Sequence, residues 1–567
     1  MDRSLLIERL SYQQRAAGLR RMAHDGVDIL VVGGGITGAG IALDAAARGY
    51  RVGLVEKADF GSGTSSKSTK LVHGGIRYLP QFDFALVHEA LAERGLLMRN
   101  APFLVRPIGF VLPLYAGAKR PLGISFVPPR GIGMNYLLRT GLTLYDVLAG
   151  RLRIHHHRRL GARGAVQSIP DLNACGLVDA FLYFDAQTDD SRLTTTVVRS
   201  AALHGALVAN YAEVVGFDQA KNRIKAAHVL DHRENETLTV PVDTVVNAGG
   251  VFASRIEALT GESHIRIEPA KGVHLTVPRS ALKIDREALV LPETDDGRIL
   301  FVVPWGSRLI IGTTDTEGGD LDHPAASSED VSYLLRHVNR YTNAGLTEAD
   351  IISAWAGLRP LLSSRREGLP SSKLSRTHAV VDSPGGMVTI VGGKLTTYRR
   401  MAQDVMDHIT HQRGGRRRHV TASLPLDGAM GWQQANATVE AAAPRFGLQA
   451  DTVRFLADYG ANALAILGLL KEDATLASRI VPDLPRIMAE VVYACRYEMA
   501  MNLDDVLDRR LHITTEDWDH GIGAAPAVAA RMAEELGWGP SETNRQIARY
   551  KQLVSPAFPS FYGGVSR

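Results

Sequence analysis

Residues 33–38, Gly-Gly-Gly-Ile-Thr-Gly, satisfy the spacing G-x-G-x-x-G, and Ala39 and Gly40 prolong the run of small side chains. The chemistry that needs such a run is dinucleotide binding. Gly33 makes the tight turn, Gly35 lets backbone approach a pyrophosphate, and Gly38 lets a helix pack closely on a strand. The helix start at Ile36 and Thr37 then turns its N–H groups toward phosphate charge. Glu56, 23 residues after Gly33, ends the next apolar segment and is placed to accept from ribose hydroxyls. Directly after it comes GSGTSSKSTK (61–70), dense in hydroxyls and backbone donors. A nicotinamide dinucleotide has no use for such a loop there, whereas the ribityl arm of a flavin does, so the expected cofactor is FAD. A second G-x-G-x-x-G in strand–helix context does not occur. Electrons are therefore expected to reach the flavin directly from an organic substrate.

The elements that must hold these residues are legible. An abrupt apolar strand spans 27–32, an Ala-rich helix follows over 36–48, and a second strand runs over 51–55, making one βαβ unit. A helix is expected over 86–98, with Glu89 and Arg94 near its middle, and strands over 239–247, 309–312 and 387–391. From 102 to 150 the chain is rich in Pro, Gly, Arg and large apolar residues. The stretch 412–419 gathers Arg413, Arg416, Arg417 and Arg418, and beyond about residue 425 helical spacing predominates. No fixed-period repeat is found.

Composition bounds the remaining classes. The 567 residues, 45% apolar and 22% charged with a mean hydropathy of −0.04, describe a globular chain of about two to four domains. Only Cys175 and Cys495 are present, which excludes a disulfide scaffold, a cysteine zinc cluster and a self-ligated iron–sulfur centre and fits a reducing compartment. A net charge of +4 gives no field that argues for nucleic acid. The longest apolar stretch, 461–470, falls short of the roughly 18–20 residues of a membrane span and reads as a core helix. Residues 1–10 carry Asp2, Arg3, Glu8 and Arg9 and do not read as a signal peptide, so the protein is expected in the cytosol or on a membrane from its cytosolic side. The run His155-His156-His157 beside Arg158 and Arg159 has no carboxylate or cysteine nearby in sequence, and no metal site is expected.

Longer motifs are more specific. TSSKSTKLVHGGIRYL (64–79), FDAQTDDSRL (184–193), VVNAGG (245–250), AKGVHLTVP (270–278), IIGTTD (310–315), AGLRPLL (356–362) and GGKLTTYR (392–399) resemble, in order, the FAD-dependent glycerol-3-phosphate dehydrogenases. The resemblance implies an α/β fold with a Rossmann-like FAD-binding domain interleaved with a β-rich substrate domain, as in amino-acid oxidases, and an α-helical C-terminal domain. On this sequence it places an N-terminal extension at 1–23, the FAD domain at 24–412 with substrate-domain segments at about 101–180 and 263–354, a linker at 413–424 and the helical domain at 425–567. It implies oxidation of sn-glycerol 3-phosphate to dihydroxyacetone phosphate, with hydride moving from C2 to FAD N5. Electron delivery to a membrane quinone, a homodimer, and peripheral attachment to the inner face of the cell membrane are implied with it. A flavin site of the same kind that passes electrons to oxygen, and a flavin-binding protein without activity, are the alternatives. The polar N-terminal extension, the insert at 127–135 and the basic stretch before the helical domain look less like the family.

Given that resemblance, the substrate phosphate needs several cations, preferably arginine forks. Arg77, Arg359, Arg376, Lys394 and Lys271 are the candidates, with Tyr78 as a neutral donor. The base for the C2 hydroxyl is left open among His274, His73 and Arg359. A helix beginning just after Gly393 is expected to aim N–H groups at the flavin, with Lys394 or Thr396 adding a donor. The motifs further assign to FAD the residues Thr64, Ser65, Ser66, Lys70, Leu71, His73 and Gly74 of the first, Asn247, Ala248 and Gly249 of the third, and Asp315, Gly393, Lys394, Leu395 and Thr396 of the later ones, together with Val214. From 103 to 153 the bases Arg106, Lys119, Arg120, Arg130, Arg139, Arg151 and Arg153 face one acid, Asp146, and interleave with Phe103, Phe110, Leu114, Tyr115, Phe126, Tyr136 and Tyr145. This segment is expected to meet an anionic membrane.

Overall fold

Two sheets share the chain in the computed structural model, which describes residues 10–118, 120–124, 133–261, 263–362 and 377–555. The first grows from Val27–Val32, VDILVV, whose near-continuous apolar run suits a strand covered on both faces. It pairs in parallel with Val52–Val55 on one side and Glu236–Asn247 on the other. Leu207–Ala209 and Met387–Val391 extend the two ends in parallel, and Ala379–Ser383 closes one edge antiparallel. Helix Ile36–Ala47 packs against helices Asp190–Leu203 and Tyr398–Gln412. Its small residues set the distance, since a Cβ on Gly40 would lie 2.7 Å from the Tyr398 ring.

The second sheet is mixed but mostly antiparallel and supplies the opposing wall. Its order is Thr316–Glu317, Ile267–Pro278, Arg308–Gly312, Leu300–Trp305, Ala288–Leu291, Arg106–Tyr115, Leu177–Gln187 and Leu71–Val72, with Ser353–Leu362 on the other side of Ile267–Pro278. Because Leu177–Gln187 and Ser353–Leu362 belong to it whole, the β-rich part runs past the expected limits of 180 and 354. The register from Ile267↔Leu362 to Thr276↔Ser353 decides which side chains share a face. Opposed antiparallel residues point the same way. Ala270 and Arg359, Gly272 and Gly357, His274 and Trp355 therefore line one face, and Lys271 with Leu358 the other.

Three segments show packing that their composition does not reveal. Within the polar N-terminal extension, Tyr12–Asp25 is a helix that buries Leu19 and Met22, and its buried Arg15 pairs with Asp231 at 2.7 Å. The basic stretch is docked in part, with Arg413 donating to the Asp28 carbonyl at 2.8 Å and Arg417 stacked 4.1 Å over Tyr50. The helical run Ala450–Glu472, which contains the apolar stretch 461–470, is by length and composition alone long and apolar enough to cross a membrane. It is broken at Gly460 (φ 58°, ψ −135°), and its Ile466, Leu467, Leu469 and Leu470 are buried.

Candidate active site

The cradle begins where Val27–Val32 ends. Gly33 has φ 114°, and a Cβ there would sit 2.5 Å from the Ala248 carbonyl oxygen. At Gly38 a Cβ would be 1.8 Å from the Gly33 oxygen, so helix and turn interlock only without side chains. Gly35 caps helix Ile36–Ala47 with no side-chain acceptor of its own, and the Ile36 N–H donates to Ser65 Oγ at 2.9 Å. Thr37 follows in the first turn. Asn247 stiffens the far wall, its Oδ1 accepting from Gly249 N–H at 3.1 Å and its Nδ2 donating to the Ala253 carbonyl, while Ala248 N–H donates to Val32. Val214 is buried in the neighbouring strand Ala212–Ala220, whose Ala212 N–H donates to the Glu56 carbonyl.

Glu56 is more constrained than its sequence position suggested. One carboxylate oxygen accepts from Gly34 N–H at 2.6 Å and the other from Ala58 N–H at 3.0 Å. Burial pushes its carboxyl above the usual range, and the two backbone donors offset this only in part. Each oxygen keeps a lone pair for a ribose hydroxyl. Glu56→Gln removes the charge and one acceptor, so FAD should bind about fivefold more weakly, from a loss of about 1 kcal/mol. Titration of FAD into the stripped variant checks this, with thermal unfolding at saturating FAD expected to match wild type.

The hydroxyl-rich loop lies along the second sheet. Thr64 Oγ1 donates to the Leu358 carbonyl at 2.5 Å, Lys67 crosses so closely that a Cβ on Gly357 would meet its carbonyl oxygen at 2.8 Å, and Thr69 Oγ1 is 2.8 Å from His274 Nε2. Ser66 Oγ turns back to the Gly63 carbonyl. Lys70, expected on FAD, is instead a strut: its ammonium is buried 2.6 Å from Asp190, its N–H donates to Ser68 Oγ and its carbonyl accepts from Thr188. Leu71 pairs with Gln187, and Gly74 N–H donates to the buried Asp185. His73 N–H donates to Thr396 Oγ1 at 3.2 Å, tying this loop to the one that follows Met387–Val391. There Gly392 and Gly393 take φ 77° and 84°, and the chain enters a 3-10 turn, Leu395–Thr397, before helix Tyr398–Gln412. The α-helix thus starts later than expected, and the first donors after Gly393 belong to the turn.

The cations fall into two groups. Arg77 Nη2 donates to Tyr78 Oη at 3.0 Å and Lys394 Nζ lies 4.1 Å from the Tyr78 ring centroid, bringing these three together. Arg359 stands on the sheet face, 3.0 Å from Asp315, so Asp315, expected on FAD, holds this guanidinium. Lys271 is a correction. It sits on the opposite face, where its ammonium pairs with Asp330 at 2.7 Å and reaches the Ala325 carbonyl. Arg376 lies outside the described residues. His157, read from sequence as lacking a carboxylate, has Asp146 2.7 Å from its Nδ1.

His274 is buried, stacked on Trp355 with centroids 4.2 Å apart, and pressed against Gly312. Burial, then the charges of Arg359 and Lys70, push its pKa well below the usual imidazole value, so it is neutral at pH 7. Its Nδ1 and the Trp355 indole N–H are buried without a hydrogen-bond partner among the described residues. Two orphaned polar atoms behind the hydroxyl-rich loop fit a ligand with polar edges, as an isoalloxazine or a polyol is. Trp355 and Thr69 were not singled out in the sequence. The alternation Trp355, Gly357, Arg359 along one strand was the available signal.

Comparison with known proteins identifies the family. The family model for FAD-dependent oxidoreductases matches residues 28–399, and that for the C-terminal domain of alpha-glycerophosphate oxidase matches 419–543. The chain is 38% identical over 546 residues to glycerol-3-phosphate dehydrogenase 2 of Mycobacterium tuberculosis, covering 95% of this chain and 90% of that protein. It is 33% identical over 570 residues to the mitochondrial glycerol-3-phosphate dehydrogenase of Arabidopsis thaliana, covering 95% and 88%. Its fold is similar to the X-ray structure of the glycerol-3-phosphate dehydrogenase from Bacillus halodurans complexed with FAD, with a TM-score of 0.78 and 28% identity over 98% of this chain and 100% of that one. The cofactor is FAD, and the chain belongs to the family of FAD-dependent glycerol-3-phosphate dehydrogenases.

Proposed function

We propose that the protein oxidises sn-glycerol 3-phosphate to dihydroxyacetone phosphate by hydride transfer from C2, with His274 as the base, and passes the electrons to a membrane quinone. The observation that carries this reading is the shared sheet face, on which a neutral imidazole and an arginine lie directly under the flavin loop. Bound FAD supplies the hydride acceptor at N5. Arg77, Arg359 and Lys394 would hold the phosphate dianion. In the tautomer whose Nε2–H donates to Thr69, Nδ1 of His274 offers a lone pair to the C2 hydroxyl proton. As the C2–H electron pair leaves, the O–H pair becomes the carbonyl bond and the proton rests on the imidazole. Arg359 is a poor base, because a guanidinium stays protonated and this one is paired with Asp315. Substrate added without oxygen should bleach the flavin band, and quinone should restore it faster than oxygen does. Bleaching by amino acids but not by glycerol 3-phosphate would sink the substrate assignment, and faster reoxidation by oxygen would replace dehydrogenase by oxidase.

We also propose attachment to the cytoplasmic face of the membrane, through a surface that differs from the one expected. Phe103, Phe110, Leu114 and Tyr145 are core residues, and Lys119, Phe126 and Arg130 lie outside the described residues. Phe82, Phe84, Tyr136 and Val147 stand exposed on elements that pack together through the core cluster of Leu86, Leu138 and Leu142, and Phe82 and Tyr136 are about two-thirds exposed, at 66% and 64%. Exposed aromatics on this surface, with Tyr136 sharing a helix with the exposed Arg139, suit an interfacial anchor. Serine at Phe82, Phe84 and Tyr136 together should weaken flotation with anionic vesicles by at least about tenfold. Unchanged flotation would remove this surface.

A further inference from the structure

The loop from Asp59 to Lys70 is gripped from two directions, and one of them is the helical domain. On the sheet side are the contacts of Thr64, Lys67 and Thr69 described above. On the other side Lys67 Nζ pairs with Asp508 at 2.9 Å. Asp59, fully buried, accepts from Arg509 Nε at 2.7 Å and from both terminal nitrogens of Arg510 at 2.8 and 3.0 Å. Residues 508–510 close the π-helical turn Asp505–Arg510. Three successive side chains on an α-helix fan over about 200°, and the wider π turn narrows that fan. Such turns recur at functional sites. Here the turn lets three neighbours reach one loop. Burial alone would raise the Asp508 carboxyl, but Lys67 and then Arg509 outweigh it and hold it at about 2.

We propose that the C-terminal helical domain is a positioning element of the flavin site, with Asp508 acting through Lys67, and Arg509 and Arg510 through Asp59, to hold the loop that sets Ser65 on the cradle helix and Thr69 on His274. Lys67 stands two residues from each of the two working side chains, Ser65 and Thr69. A loop released at Lys67 thus loosens the acceptor of the Ile36 N–H and the partner of His274 together. The grip extends downstream through Ser68, whose N–H and hydroxyl both bond Asp190, and Asp189 is bound 2.8 Å away by His512 of the same helical domain.

The test uses the full-length holoenzyme and its stripped form. Asp508→Asn and Lys67→Met should each raise the FAD dissociation constant about tenfold, the lower end of what a charge-assisted contact is worth. The double variant should be no worse than the weaker single, and the exchange Lys67→Asp with Asp508→Lys should recover most of the affinity. Arg308→Met is the control. It breaks another contact with the helical domain, to Asp483 and the Glu516 carbonyl, without touching the loop. That variant should lower the unfolding temperature while keeping wild-type FAD affinity. Should Asp508→Asn fail to fold, Lys67→Met decides alone, since its side chain is on the loop and partly exposed. Wild-type FAD affinity in Lys67→Met, additive losses in the double variant, or an equal loss in Arg308→Met would each overturn the proposal and reduce the contact to domain adhesion.

Discussion

Replacing His274 with glutamine will lower kcat by about 10²- to 10⁴-fold at pH 7, the usual contribution of a positioned general base. The argument rests on what surrounds the ring. Trp355 covers one face and Gly312 the other edge, and Thr69 takes Nε2, so Nδ1 is the nitrogen left for chemistry. The groups that face it with charge are cationic: Arg359 on the adjoining strand and Lys70 on the loop, each balanced by its own carboxylate, Asp315 and Asp190. With the pKa held well below 6.5, protonation disables the base only on the acid side. Activity of the wild type should therefore be flat from about pH 6.5 upward with respect to this group, falling at lower pH. The variant should keep its flavin band and nearly its KM while losing that acid limb. A kcat within about fivefold of wild type, in protein with full FAD, would return the base to His73 or to solvent.

The parts of this site legible in sequence are those made by neighbours in the chain. Gly33, Gly38 and Glu56 fall within one βαβ unit, and VDILVV can hardly be anything but a buried strand, so the cradle follows from local pattern. The strand Met387–Val391 is bounded in the same way by its apolar run and the two glycines after it. What stayed hidden depends on register and on distant charges. Lys271 and Arg359 read alike as motif cations, but one residue of offset between paired strands sends Lys271 to Asp330 and leaves Arg359 on the site face. Lys70 reads from its motif as an FAD residue, but folding brings Asp190, 120 residues away, onto its ammonium. The N-terminal helix reads as polar because its buried Arg15 is balanced by Asp231, 216 residues along. The same holds for Asp508, an ordinary surface acid by composition that faces Lys67 across 441 residues. Charges in this protein are placed by tertiary partners, and those are what a single sequence hides.

Phosphate recognition should show itself as a change in substrate ratio. Arg77→Ala and Arg359→Ala are each expected to lose about 1.5–3 kcal/mol of transition-state binding to glycerol 3-phosphate, or roughly 10- to 100-fold in kcat/KM. Glycerol, which lacks the phosphate, should be a poor substrate for wild type and lose far less on the same change. The two sites will not behave identically. Arg77 bonds Tyr78, and Lys394 lies on the same ring, so Arg77→Ala leaves a second cation in place and its loss should sit near the lower end. Arg359 is balanced by Asp315, so Arg359→Ala leaves a buried carboxylate beside the phosphate and should approach the upper end. Arg359→Lys should recover only part, since a point charge replaces a fork that here serves Asp315 and the Thr314 carbonyl as well. If these arginines merely prop the loop and the sheet edge, both substrates will suffer together and flavin will be lost with them. The decisive quantity is the ratio of the two efficiencies in variants that retain full FAD. An unchanged ratio would mean that neither arginine reads the phosphate, leaving Lys394 and the turn N–H groups after Gly393 to do so.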